Sequence, residues 1–421
     1  MKKIKNLPSI LMIIFFFILA FGLVGCNINT EDYPKEIRAS NLMHDFTARA
    51  VNTAVLDGQF RNAAANFSLD LFRETISSSD NSLISPVSVL LALAMTANGA
   101  DSNTLAQMEQ VIGDGMPISD LNVYLYTFLN NLTKQPKSFI NISNSIWFRE
   151  ISFIPNRDFL QTNADYFNAD AFAAPFDNQT VEDINTWINN ATDGLINKML
   201  DSIPDEAVMY LINTILFDAE WAKIYNKNEI DNGIFTNHKN QQQLAEFMSS
   251  RENLLLIQGN NATGFIKPYY DEHYSFAAIL PDEGINILDY IAELSGEDFL
   301  DLIGNAHIAD LMPALPKFSY EFEVSMNDAL KVMGMEDAFC EIEADLSLIG
   351  SAWGNLFISD VKHKATITVD ERGTKAGAAT VIEAGVTSIP LFIKLDRPFV
   401  YAIIDNATSL PIFIGTLLSI P

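Results

Sequence analysis

One stretch of this chain constrains the fold more than any other, because it is too long for a connection and too regular for a linker. Between a β-branched run ending at Val369 and an apolar run starting at Phe399 lie 29 residues, 370 to 398, where a handful is usual. From Gly373 to Thr387 the stretch carries one basic and one acidic side chain, Lys375 and Glu383, among small or β-branched neighbours. Even positions read Thr374, Ala376, Ala378, Thr380, Ile382 and Ala384, and both charges fall on odd positions. Side chains alternate sides along a strand, so one face would be small and mostly apolar and the other would carry both charges. That is the pattern of a half-buried strand in a tight slot. A loop that encodes a strand it need not yet occupy points to two states of the chain.

Around this stretch, residues 59–421 read as one α+β domain with a large sheet. Helical patterns dominate from about 59 to 300, with strands between them. Helices are predicted over 63–76, from Pro86 in a first turn to Ala97, and over 181–199, where Ile184, Trp187, Ile188 and Ile196 recur at helical spacing. A short buried strand is predicted over 211–217, ending near Trp221. The last third changes character, with strands predicted over 365–369, 399–404 and 412–417. No repeat and no low-complexity linker divides the domain.

Composition closes off several alternatives. With 48% hydrophobic residues, 20 glycines and two cysteines, the chain is neither disordered, nor collagen-like, nor a disulfide scaffold. Its 53 acidic against 26 basic residues give a net charge of −27, a surface that repels phosphate backbones, so nucleic acid is not an expected partner. The first 25 residues read as an export signal: Lys2, Lys3 and Lys5, then an uncharged apolar run over 7–24. A permanent membrane anchor is the alternative. Leu23-Val24-Gly25-Cys26 resembles the lipobox of prokaryotic lipoproteins, which implies cleavage before Cys26 and a lipid on its thiol. The expected location is then the exterior of a prokaryotic membrane, on its periplasmic face or at the cell surface, with residues 26–58 as a polar tether. Cys340 is left without a partner and is expected to be a small buried hydrophobe rather than a nucleophile.

Catalytic chemistry has no sequence signature here. No two of His44, His238, His273, His307 and His363 stand four residues apart, as two imidazoles on one helical metal site would. Nucleophile-elbow, phosphate-loop and dinucleotide-binding glycine patterns are missing, and Gly113-Asp114-Gly115 before Met116-Pro117 suits a turn. Neither an enzyme nor a cofactor nor a metal is expected.

The run Val369-Asp370-Glu371-Arg372-Gly373-Thr374-Lys375-Ala376-Gly377-Ala378-Ala379-Thr380 resembles the hinge of the reactive-centre loop of inhibitory serpins, the family of serine protease inhibitors. Asp396-Arg397-Pro398-Phe399 and Ile414-Gly415 resemble the family's last strands. Residues 81–97, Asn213 with Phe217 and Trp221, and Pro316-Lys317-Phe318 follow in family order. The resemblance implies a suicide-substrate inhibitor, expected as a monomer, whose loop lies over about 371–395. A protease attacks the loop, and the cut segment enters the central sheet before water releases the acyl-enzyme. Carried over residue by residue, the hinge is Glu371, Gly373, Thr374, Ala376, Ala378, Ala379 and Thr380. Ser85, Ser88, Asn213 and His363 match the shutter beneath the sheet's opening point, and Trp221 the breach where the loop first enters.

The family's seventeen-residue span from Glu371 ends at Thr387, so cleavage is expected at Thr387-Ser388, with Val386-Thr387 as the alternative register. Either bond offers an uncharged β-branched residue to the primary pocket, favouring an elastase-like serine protease over a trypsin-like one. A papain-like cysteine protease is a further possible target. Two residues depart from the family pattern. Lys375 stands where Glu is usual, and Gly377 interrupts the alanine run, at a cost of roughly 0.5 to 1 kcal/mol in a strand. The rival to inhibition is a non-inhibitory, lipid-anchored binding or structural protein of the same fold.

Overall fold

The seven strands that matter here are β1 (Ser40–Asn41), β2 (Ser138–Arg149), β3 (Asp170–Ala174), β4 (Met209–Glu220), β5 (Phe318–Ser325), β6 (Asp360–Val369) and β7 (Gly373–Thr374). They line up in one sheet in the order β1-β3-β2-β4-β7-β6-β5, with Lys134–Gln135 as an eighth strand beside β2. The computed structural model describes residues 36–421 apart from Thr133, Pro136, Ser152, Asn260, Trp353 and 375–388. Ile37–Pro421 is one unit.

Burial along the strands explains their sequences. β4 is buried at every position but Asp218, and its run Met-Tyr-Leu-Ile-Asn-Thr-Ile-Leu-Phe is that of a strand covered on both faces. β6 alternates instead. Val361, His363, Ala365, Ile367 and Val369 are buried and the residues between them half-buried, so one face packs and the other is wetter. The helix Pro86–Ala97 is buried all round and forms part of the large core with β4 and β6. Asp57 caps the helix Gly58–Thr75 by accepting from Phe60 N–H at 3.1 Å. A smaller core gathers Trp147, Ile184, Trp187, Ile196 and Ile212.

The second sheet, of ten strands among the described residues, holds the end of the chain. Phe399–Asp405 and Pro411–Leu417 lie between Tyr274–Pro281 on one side and Ser82–Ile84 on the other. Leu391–Lys394 pairs in parallel with His307–Pro316 in the same sheet. The two described ends of the 29-residue stretch therefore belong to different sheets.

Four expectations need correction. The helix predicted over 181–199 runs Asn178–Ala191, because Asp193 and Gly194 take φ of 50° and 80° and turn the chain. Ile196 and Met199 still reach the same small core from outside the helix. Helices do not dominate as far as 300: six strands occupy most of 209–281. The polar stretch up to residue 58, expected as a tether, is bound to the body from Arg38 onward. β1 adds to the edge of β3, Ala39 N–H donates to Asp183 at 2.8 Å, and Arg49 donates its backbone N–H, Nε and Nη2 to Asp165 at 2.6–2.9 Å. Cys340 is half-buried, at the end of the short turn Asp337–Phe339. Gly113-Asp114-Gly115 is indeed a turn, with Asp114 left-handed at the end of the helix Ser102–Gly113.

Candidate functional site

β4 and β6 touch each other at one end only. They pair in parallel at four positions, from Asp360 with Tyr210 to His363 with Asn213. At the other end β7 lies between them: Thr374 opposes Ala219 of β4 and Val369 of β6, and Gly373 opposes Glu220. From Thr214 to Phe217 and from Lys364 to Ile367, no strand among the described residues joins the two edges. Among the described residues the sheet therefore carries a slot, closed below by direct pairing and occupied at its mouth by two residues of the long segment.

The closed end is a polar cluster inside the core. His363, Asn213, Ser85 and Ser88 are all 0% exposed. Ser85 backbone N–H donates to His363 Nε2 at 3.1 Å, and His363 Nδ1 faces Asn213 Oδ1 at 2.9 Å. Nε2 must accept, so the proton sits on Nδ1 and the imidazole is neutral. The Asn213 amide also takes the Ser88 hydroxyl, and it donates to the Ser88 carbonyl and to Asn144 Oδ1, the last at 2.6 Å. One side chain thus ties the helix Pro86–Ala97 to β2, β4 and β6. The Ser85 hydroxyl finds no partner among the described residues, so Ser85 joins the cluster through its backbone alone.

Burial holds the His363 pKa down at about 3, against 6.5 in an exposed chain. Between those values the unfolded chain takes up a proton that the folded one does not, so stability is complete above pH 6.5 and falls as the pH drops below it. Between pH 7 and pH 5 this one group is expected to remove about 2 kcal/mol. Urea midpoints at the two pH values check it, with a His363→Asn variant as reference: its loss on acidification should be smaller by that amount.

At the mouth, close backbone contact selects the residues. A Cβ on Gly373 would lie 2.0 Å from the Ala219 carbonyl oxygen and 2.8 Å from Glu220 Cα, so only glycine fits between the strands. Thr374 is buried, and its hydroxyl meets Tyr269 Oη at 2.7 Å. Tyr269 in turn stacks on Trp221, with centroids 4.6 Å apart and planes at 6°. Trp221 is 1% exposed; its indole donates to the Asp370 carbonyl at 2.9 Å and its backbone N–H to the Arg372 carbonyl at 2.8 Å. Asp370 Oδ1 accepts from Arg372 N–H at 2.8 Å and Gly373 N–H at 3.3 Å, closing a tight turn. Lys317 reaches Glu371 at 2.8 Å and holds its carboxylate below the usual range.

The structure thus brings Ser85, Ser88, Asn213 and His363 together at one end of the slot, and Trp221, Glu371, Gly373 and Thr374 at the other. Ala376, Ala378, Ala379 and Thr380, the expected scissile residues Val386, Thr387 and Ser388, and Cys26 lie outside the described residues. Asn144 and Tyr269 are additions. Asn144 is the cross-strand partner of Asn213, and an asparagine amid a strand pattern was its signal. Tyr269 had none, since its link to Thr374 spans more than a hundred residues.

Residues 62–420 match the family model described as serpin (serine protease inhibitor). The chain belongs to the serpin family. This serpin is 30% identical to a leukocyte elastase inhibitor of Xenopus tropicalis, over 84% of this chain and 97% of that one. The solved structure of the thermophilic serpin tengpin in its native state is 51% identical, covers 91% of this chain and 100% of that one, and superposes with a TM-score of 0.87. The latent state of tengpin, also 51% identical, covers 88% and 100% with a TM-score of 0.79. The present arrangement is closer to the native state. As a serpin the protein is an inhibitor of proteases rather than an enzyme, and its partner is a target protease.

Proposed function

We propose that this serpin is a suicide-substrate inhibitor of elastase-like serine endopeptidases, cut at Thr387-Ser388, and that it traps the acyl-enzyme by drawing the cut segment into the slot. The observation that carries the reading is Thr374, already paired with both Ala219 and Val369 at the mouth. Continuing that register, residues 375–379 would meet β4 and β6 where the two edges are apart. Thr380 would fall opposite Asn213 and His363, and Ala384 opposite Met209, the first residue of β4. Insertion up to Ala379 would part no existing pair. From Thr380 onward it would have to open the four pairs from His363–Asn213 to Asp360–Tyr210. In this register Ala376, Ala378, Thr380 and Ile382 share the buried face of Thr374, while Lys375 and Glu383 face the other way. The departure from the family pattern at Lys375 is therefore harmless to insertion.

About 14 inserted residues at roughly 3.3 Å each would carry an attached protease some 45 Å. Strand formation releasing on the order of 10 to 20 kcal/mol would suffice to disorder an oxyanion hole, where one donor is worth about 3 to 4 kcal/mol. Relatives named leukocyte elastase inhibitors support an elastase-like target. Incubation with elastase tests the reading. An SDS-stable complex is expected, and mass spectrometry of the released peptide should place Ser388 at its new N-terminus; nicking without a complex would refute inhibition.

We further propose that the protein is lipid-anchored through Cys26 on the exterior of a prokaryotic membrane, a reading supported by Leu23-Val24-Gly25-Cys26. Radiolabelled fatty acid should enter the expressed protein and should not enter Cys26→Ser. Equal labelling of the two would dismiss the anchor.

A further inference from the structure

The most deeply buried charge near the mouth belongs to neither the shutter nor the hinge. Lys267, on the strand Ala262–Pro268, is 0% exposed, and its Nζ bonds both carboxylate oxygens of Glu252 at 2.7 Å. Glu252 opens the strand Glu252–Gln258, is itself 9% exposed, and also accepts from the Ser250 hydroxyl. The ammonium stands 4.6 Å from the centre of the Tyr225 ring and 5.6 Å from that of Trp221. Those two residues hold three consecutive hinge carbonyls. Trp221 takes Asp370 and Arg372, as described, and Tyr225 backbone N–H donates to the Glu371 carbonyl at 2.9 Å.

A buried ion pair is a poor device for stability, because two well-packed apolar side chains of similar volume commonly do as well or better. What apolar side chains cannot do is attract two ring faces to one fixed point, as a desolvated cation does. We propose that the Lys267–Glu252 pair is a positioning device for the reactive loop: it fixes the Trp221 and Tyr225 rings, and so places the two residues whose indole and backbone N–H groups hold the carbonyls of 370–372, so that Gly373 and Thr374 sit at the mouth of the slot. Insertion then starts from a seated strand. Without the pair, the hinge detaches, insertion starts late, and more acyl-enzyme is lost to water. In its consequence for trapping, the inference rests on the inhibitory reading above.

The test replaces the pair by apolar residues, Lys267→Met with Glu252→Leu, because either change alone strands a buried charge. The double variant is expected to melt no lower than the parent protein. Backbone amides of 371–374 should exchange with deuterium at least tenfold faster, and at least threefold more inhibitor should be consumed per elastase trapped. Lys267→Arg, which keeps the charge, should stay close to the parent in exchange. Parental exchange rates in the double variant would overturn the proposal. Failure of the double variant to fold would overturn it too, since the pair would then be structural. If the parent protein traps no elastase, the inhibitory reading fails, and the exchange rates alone decide the positioning role.

Discussion

Thr380→Arg is expected to convert the inhibitor into a substrate. In the register set by Thr374, position 380 is the first whose insertion must part an existing pair, and it would point its side chain at Asn213 and His363. Every donor and acceptor of the Asn213 amide and both nitrogens of His363 are already engaged there. The neutral imidazole offers no counter-charge. A guanidinium driven into this site would be buried unpaired, a penalty of at least several kcal/mol. Even about 3 kcal/mol on the barrier slows insertion more than a hundredfold, which leaves water time to release the protease. The expected readout is loss of the SDS-stable complex with cleavage of the loop at an unchanged rate. Ala378→Arg, opposite Ile215 and Ala365, should behave alike, and Lys375→Glu, on the outer face, should change little. Undiminished trapping by Thr380→Arg would contradict insertion in this register.

Heat should distinguish the cut from the uncut protein as sharply. If nicking between Glu383 and Pro390 lets the segment fill the slot, the cleaved form gains a central strand worth on the order of 10 to 20 kcal/mol. For a unit of this size, with an unfolding entropy of about 0.8 kcal/mol per degree, that is a rise in Tm of roughly 12 to 25 °C. Calorimetry before and after limited proteolysis measures it directly. An unchanged Tm would mean that no free energy is stored in the intact form.

How much of this could be read beforehand depended on whether the physics left a periodic trace. β6 alternates buried and half-buried residues and β4 is buried nearly throughout, so both are visible; of the alternating pattern between Gly373 and Thr387, the described residues include only the strand Gly373–Thr374. The five strands over 230–281 are harder to see because Ile234, Leu244 and Leu255 are exposed despite their apolar side chains, which blurs the alternation. The docking of residues 38–49 left no trace at all. Its anchors are backbone N–H groups reaching Asp183 and Asp165, which any residue can supply, and the Arg49 guanidinium on Asp165, a pair 116 residues apart in sequence. The two ends of the slot were legible residue by residue only through family likeness, because Asn213, His363 and Trp221 are each unremarkable alone. Lys267 and Glu252 carry no signal for a related reason: they lie on strands whose register nothing in their spacing fixes.

The placement of the last two strands inside the second sheet bears on how the molecule is made. Phe399–Asp405 and Pro411–Leu417 leave the ribosome after every other strand of the second sheet, yet they separate Ser82–Ile84 from Tyr274–Pro281, so that sheet cannot close until they have emerged. The reactive segment emerges earlier, together with both walls of its slot. If the segment inserts as proposed, biosynthesis is a race, in which the hairpin of these two strands has to lock the second sheet before the nascent segment takes its seat in the first.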